Sequence, residues 1–85
     1  MTTQSIHDLP SEQVLKQVLG LKEGESVLFD NGNNNTVTFT RYPFHHQIVE
    51  WHWDVFQSLC IPVTGIVGED ECELMKEILL LKSHI

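Results

Sequence analysis

Residues 44–60 decide the fold of this chain, because their pattern fits either one long helix or a strand. Along a strand, four apolar residues would alternate with polar ones over about eight positions: Val49, Trp51, Trp53 and Val55. At steps of about 100° from Phe44, six polar residues instead share an arc of about 120° that no apolar residue before Cys60 enters. They are His46, Gln47, Glu50, Asp54, Gln57 and Ser58. The helical pattern covers more of the segment, so we predict a helix that begins after Pro43 and ends before Pro62.

The apolar arc of this predicted helix is unusually wide. Its members include both tryptophans and are Phe44, Ile48, Val49, Trp51, Trp53, Val55, Phe56 and Leu59. A helix that is apolar on more than one side is buried on more than one side. We therefore expect this helix at the centre of the domain. The alternative is that part of its apolar surface lies at a dimer interface.

Two further helices are predicted, one on each side of this region. Ser11 suits a helix N-cap and Gly20 a helix end. The apolar stripe of that helix consists of Val14, Leu15, Val18 and Leu19. A C-terminal helix over residues 69–83 has acids in its first turn and Lys82 near its end, which suits the helix dipole. Its apolar face is expected to hold Leu74, Met75, Ile78, Leu79, Leu81 and Ile85, with Leu80 pointing off it.

A β-hairpin is predicted between the first two helices. Its strands cover residues 26–29 and 36–42, and the second strand alternates strictly. The loop over 30–35 contains an Asn-Gly pair that favours a turn. It is longer than the common two-residue loop, so its tip is a candidate for contact with a partner. Val37, Phe39 and Arg41 are expected on one face of the second strand. Residues 61–68 are interpreted as a connector, within which 63–67 could form a short third strand.

The predicted fold is therefore α+β: helix, β-hairpin, long central helix and C-terminal helix. A chain of 85 residues supports one core, so residues 1–85 are assigned to a single domain with 1–7 as a flexible tail. This order of elements is too generic to identify a fold family.

The charge of the chain excludes several classes of function. Twelve Asp and Glu against five Lys and Arg give a net charge of −7, which argues against binding the phosphate backbone of nucleic acids. We find no membrane span and no secretory signal, so a cytoplasmic location is expected. In a reducing cytosol the two cysteines, Cys60 and Cys72, are expected to be buried thiols.

The histidines raise the question of a metal site. On a helix, His45 and His52 would point within about 20° of each other, which makes them weak candidates for zinc ligands. Their spacing matches no established metal signature. We expect no cofactor, and also no catalysis, because nothing supplies an oxyanion loop or an activated nucleophile.

The sequence thus predicts a non-enzymatic, small acidic protein-interaction module that inhibits or sequesters a basic partner. Seven residues carry this prediction: the acids Glu50, Asp54, Glu69, Asp70, Glu71 and Glu73, with Trp53 as an apolar anchor. If its carboxylates stood in place of DNA phosphates, the chain would be a DNA mimic. A net charge of −7 is modest for such a protein. The alternative is a histidine-based divalent-metal-binding protein or a structural homodimer. Small acidic cytoplasmic proteins without an enzymatic motif often come from phages or mobile elements, although no residue here indicates such a source.

Overall fold

A computed structural model describes residues 4–32 and 34–83. Its elements are α1 (Ser11–Leu19), β1 (Ser26–Gly32), β2 (Asn35–Tyr42), β3 (His45–Asp54), β4 (Leu59–Val67) and α2 (Glu71–Ser83). The strands form one antiparallel sheet in the order β1-β2-β3-β4. The fold is α+β, but the hairpin continues into a four-stranded meander.

The prediction of a long central helix over residues 44–60 is wrong. The segment contains β3, a turn over 55–58 and the beginning of β4, and most of the predicted connector 61–68 completes β4. The apolar arc was wide because strand residues alternate between two faces, and both faces of β3 carry apolar side chains.

The turn between β3 and β4 contains neither glycine nor proline, the usual signals of a turn. Asp54 Oδ1 instead accepts hydrogen bonds from the backbone N–H groups of Phe56 (2.9 Å) and Gln57 (3.2 Å). Ser58 adopts a φ of 54° and completes the reversal. An aspartate that bonds the backbone two residues on makes a turn without glycine.

The first hairpin is confirmed, with a tighter connection than predicted. Its strands extend to Gly32 (φ 81°) and from Asn35, so they take up part of the loop that was predicted over residues 30–35. Val37 and Phe39 are fully buried on one face of β2, and Arg41 shares that face, as predicted.

One face of the sheet, called here the helix-side face, shares a core with α1 and α2. The buried apolar side chains form one cluster: Ile6, Val14, Val18, Phe29, Val37, Phe39, Ile48, Val67, Leu74, Ile78 and Leu81. The predicted stripe of α1 is confirmed, since Leu15 and Leu19 pack against this cluster. On α2 the prediction for Leu79 is wrong, because it is exposed like Leu80; Ile85 lies outside the described residues.

The segment before α1 lies along the outer edge of β1. The N–H of Asp30 donates to the Gln4 carbonyl oxygen, and the N–H of Ile6 donates to the Asp30 carbonyl oxygen, both at 2.9 Å. Ile6 is fully buried. Residues 1–3 of the predicted tail lie outside the described residues, whereas 4–6 pair with the sheet.

Candidate interaction surfaces

The seven residues predicted to bind a partner lie on three different surfaces. Glu50 and Asp54 are on the helix-side face, because even-numbered β3 residues share the face of the buried His46 and Ile48. Trp53 lies on the opposite face. The remaining four acids lie at or just before the start of α2: Glu69, Asp70, Glu71 and Glu73. The fold therefore separates Trp53 from the acids with which it was expected to bind a partner.

Two of the acids near α2 have structural partners. Glu69 Oε1 accepts a hydrogen bond from Arg41 Nη2 at 2.6 Å, and the pair is partly exposed, so it contributes about 0–1 kcal/mol to stability. Asp70 Oδ1 accepts from the Cys72 N–H at 3.1 Å. This contact caps the start of α2, an interaction worth about 1 kcal/mol. Glu71 and Glu73 are exposed and leave their carboxylates at the surface.

A second surface, called here the ledge, is the helix-side face of the outer half of the β3–β4 hairpin. Its cross-strand pairs place a polar β3 residue beside an apolar β4 residue: Glu50 with Val63, His52 with Ile61, and Asp54 with Leu59. The three β4 side chains are 36–51% exposed, because no described residue of α1 or α2 buries this end of the sheet. The ledge is thus an apolar row beside a row that carries two carboxylates.

The third surface is the open face, the side of the sheet turned away from the helices. Its side chains include Leu28, Thr38, Tyr42, Val49, Trp51, Trp53 and Ile66. None of the described residues on this face is buried. Tyr42 stacks on His45 with ring centroids 5.1 Å apart. The open face is therefore an aromatic and hydroxyl-bearing surface on which no described helix or loop packs.

The geometry proposed for a histidine metal site is wrong. His45 and His52 are seven positions apart on a strand, so their side chains lie on opposite faces of the sheet. His52 Nε2 lies 3.7 Å from Glu50 Oε1 on the ledge. Within residues 4–32 and 34–83, no three His, Cys, Asp or Glu side chains are grouped to hold a metal.

The prediction that both cysteines are buried is also wrong. Cys60 and Cys72 are free and exposed. Cys60 lies on the open face of the edge strand β4, and Cys72 lies in the first turn of α2, away from the core.

His46 joins the sheet to the start of α2. It is fully buried, its Nδ1 donates to the Gly68 carbonyl oxygen at 3.2 Å, and its Nε2 accepts from Arg41 Nη1 at 3.4 Å. Because a guanidinium only donates and a carbonyl only accepts, the imidazole proton resides on Nδ1. His46 was predicted on the polar side of a helix, and the strand places it in the core instead.

The apolar β4 residues of the ledge were not among the predicted binding residues. Leu59, Ile61, Val63 and Val67 alternate with period two, which is a strand signal. Pro62 and Gly65 interrupt the pattern and favour a connector instead. Pro62 is tolerated because β4 is an edge strand, where a missing N–H on the solvent side breaks no ladder bond.

Comparison with protein-family models, curated proteins and solved structures gives no match. None of the described helices is long and apolar enough to cross a membrane.

Proposed function

We propose that this chain is a non-enzymatic protein-interaction module of the cytoplasm that binds a basic protein and inhibits or sequesters it. The ledge is the binding surface. The observation that supports this proposal is the exposed apolar row of Leu59, Ile61 and Val63 beside Glu50 and Asp54.

The apolar row supplies affinity. Large apolar side chains left exposed together on one surface are typical of interaction sites. Phe56 lies in the turn at the tip of the same hairpin, where it is 97% exposed. An aromatic side chain that projects from a turn can fill a pocket on a partner and act as an anchor. A partner segment that covers this row needs an apolar face of its own.

The acidic row selects the partner. Glu50 and Asp54 stand on the strand beside the apolar row, so they favour a segment with Lys or Arg next to its apolar face. The same Asp54 carboxylate accepts the two backbone hydrogen bonds that hold the turn. The chain as a whole carries −7, which steers a basic partner towards it at low ionic strength.

Capture from a lysate of the native host tests this proposal with two matched variants. Ile61→Ser removes an apolar side chain from the ledge, and Ile66→Ser removes the same side chain from the open face of the same strand. We expect wild type and Ile66→Ser to retain one dominant basic protein that Ile61→Ser loses by about tenfold. Raising salt from ~50 to ~500 mM should release it, because the acidic row is screened.

Circular dichroism and thermal melting establish that both variants are folded. Equal capture by wild type and Ile61→Ser, or capture that does not change with salt, would contradict the ledge as a charge-selected binding surface.

A further inference from the structure

We propose that the open face joins two copies of this chain, sheet against sheet, in a two-fold symmetric dimer. This surface is separate from the ledge, so the dimer leaves the ledge of each copy free. Three observations indicate that a second copy of the chain covers the open face. They are the low charge of this face, its exposed area, and the features that block both edges of the sheet.

The charge of the open face suits a second copy. Of the twelve acids in the chain, Asp30 alone lies on this face, at its β1 edge, and no Lys or Arg lies on it. A chain with a net charge of −7 repels its own copies through every strongly acidic surface. Two copies meet with least repulsion where each presents an uncharged surface. A basic partner, by contrast, gains nothing from this face.

The area of the open face matches what a dimer needs. Five large side chains on it are 38–72% exposed: Leu28, Tyr42, Trp51, Trp53 and Ile66. At ~150–250 Å² for a large side chain, they leave roughly 500 Å² of mainly apolar surface uncovered. With the surrounding threonine and glutamine side chains, the face approaches the ~800 Å² per partner of a standard interface, of which ~56–65% is apolar.

The edges of the sheet are less suited to joining copies than its face. The outer edge of β1 is occupied by residues 4–6, which bond to Asp30. The outer edge of β4 contains Pro62, which has no N–H to donate to a further strand. Face-to-face packing buries the two tryptophans without needing these backbone groups, and stacked sheets of this kind pack about 10 Å apart.

Sedimentation equilibrium of the full chain at ~1–200 µM tests the dimer, since this range covers weak and tight association. We expect wild type to be dimeric in the upper part of the range. Because both tryptophans lie on the open face, their emission should shift to shorter wavelength as the dimer forms. Added salt should strengthen the dimer slightly, because it screens repulsion between two negative chains.

Two isoleucines of β4 provide a matched pair of variants. Ile66→Lys places a cation on the open face and Ile61→Lys places one on the ledge, and each changes the net charge from −7 to −6. We expect Ile66→Lys to weaken dimerisation by at least about tenfold and Ile61→Lys to change it by less than about twofold. Melting curves identify any variant that fails to fold, and Leu28→Lys, on the opposite edge of the same face, then replaces Ile66→Lys.

A wild-type chain that remains monomeric throughout the range would overturn this proposal. So would a dimer that Ile66→Lys and Leu28→Lys leave intact, because such a dimer uses another surface, such as a strand edge. Either result leaves the capture test of the ledge unaffected, since that test depends on Ile61.

Discussion

Replacing Phe39 by alanine is expected to lower the free energy of unfolding by about 3–5 kcal/mol. Phe39 is fully buried at the centre of the helix-side face, and its ring meets Phe29 edge to face with centroids 6.0 Å apart. Its cross-strand neighbour Ile48 is also buried. Truncation removes apolar contacts on all sides and leaves a cavity, because the two flanking strands hold the backbone in place.

A loss of this size is a large part of the total stability of so small a domain, about 5–10 kcal/mol. Urea denaturation followed by circular dichroism measures it. Thr38→Ala, one residue away on the open face, is the control and should cost less than about 1 kcal/mol. Similar decreases in the free energy of unfolding for Phe39→Ala and Thr38→Ala would show that β2 does not have one buried and one open face.

Replacing His46 by alanine is expected to cost about 2–4 kcal/mol, whereas His45→Ala should cost less than about 1 kcal/mol. His46 is fully buried between Arg41 and the Gly68 carbonyl oxygen, and both lose a hydrogen-bond partner when the imidazole is removed. His45 lies on the open face, where its main contact is the ring of Tyr42.

The same pair of variants separates the strand from a helix over residues 44–60. In a helix His46 would be on the polar, solvated side, and alanine there would be neutral or slightly stabilising, since alanine has the highest helix propensity. Denaturation of both variants by urea gives the comparison. A loss for His45→Ala as large as that for His46→Ala would contradict the alternation of faces along β3.

Local signals predicted the two helices and the first hairpin. Val14 and Val18 recur at helical spacing, and the alternation around Val37 and Phe39 has the period of a strand. In each case the apolar periodicity of the sequence matches the side that the fold buries, so the pattern and the packing agree.

The β3–β4 hairpin could not be predicted in the same way, because its two faces carry unusual residues. Trp51 and Trp53 are on the open face, where a monomeric sheet would ordinarily place polar side chains. Val55 and Phe56 occupy the turn and are largely exposed. In the sequence, apolar residues that the fold leaves at the surface cannot be distinguished from core residues. Here their spacing produces the apolar pattern of a buried helix.

The candidate site was harder to predict than the fold, because the roles of its residues depend on hydrogen bonds and on strand register. The acids were visible in the sequence, but the role of Asp70 as a helix cap and of Asp54 as a turn residue depends on hydrogen bonds that only the fold defines. The ledge exists because β4 places Ile61 opposite His52, and this register follows from the turn at 55–58. Both proposed surfaces thus depend on the same hairpin.

A two-dimensional NOE spectrum of the chain tests that hairpin most directly. Pro62 has no N–H, so its pair with Trp51 occupies a position where neither backbone bonds the other and the two Cα atoms are about 4.5 Å apart. The account predicts a strong Hα–Hα cross-peak between Trp51 and Pro62, and further ones from Val49 to Thr64 and from Trp53 to Cys60. A continuous series of amide–amide cross-peaks over residues 44–60, without these contacts, would show a helix and contradict both surfaces.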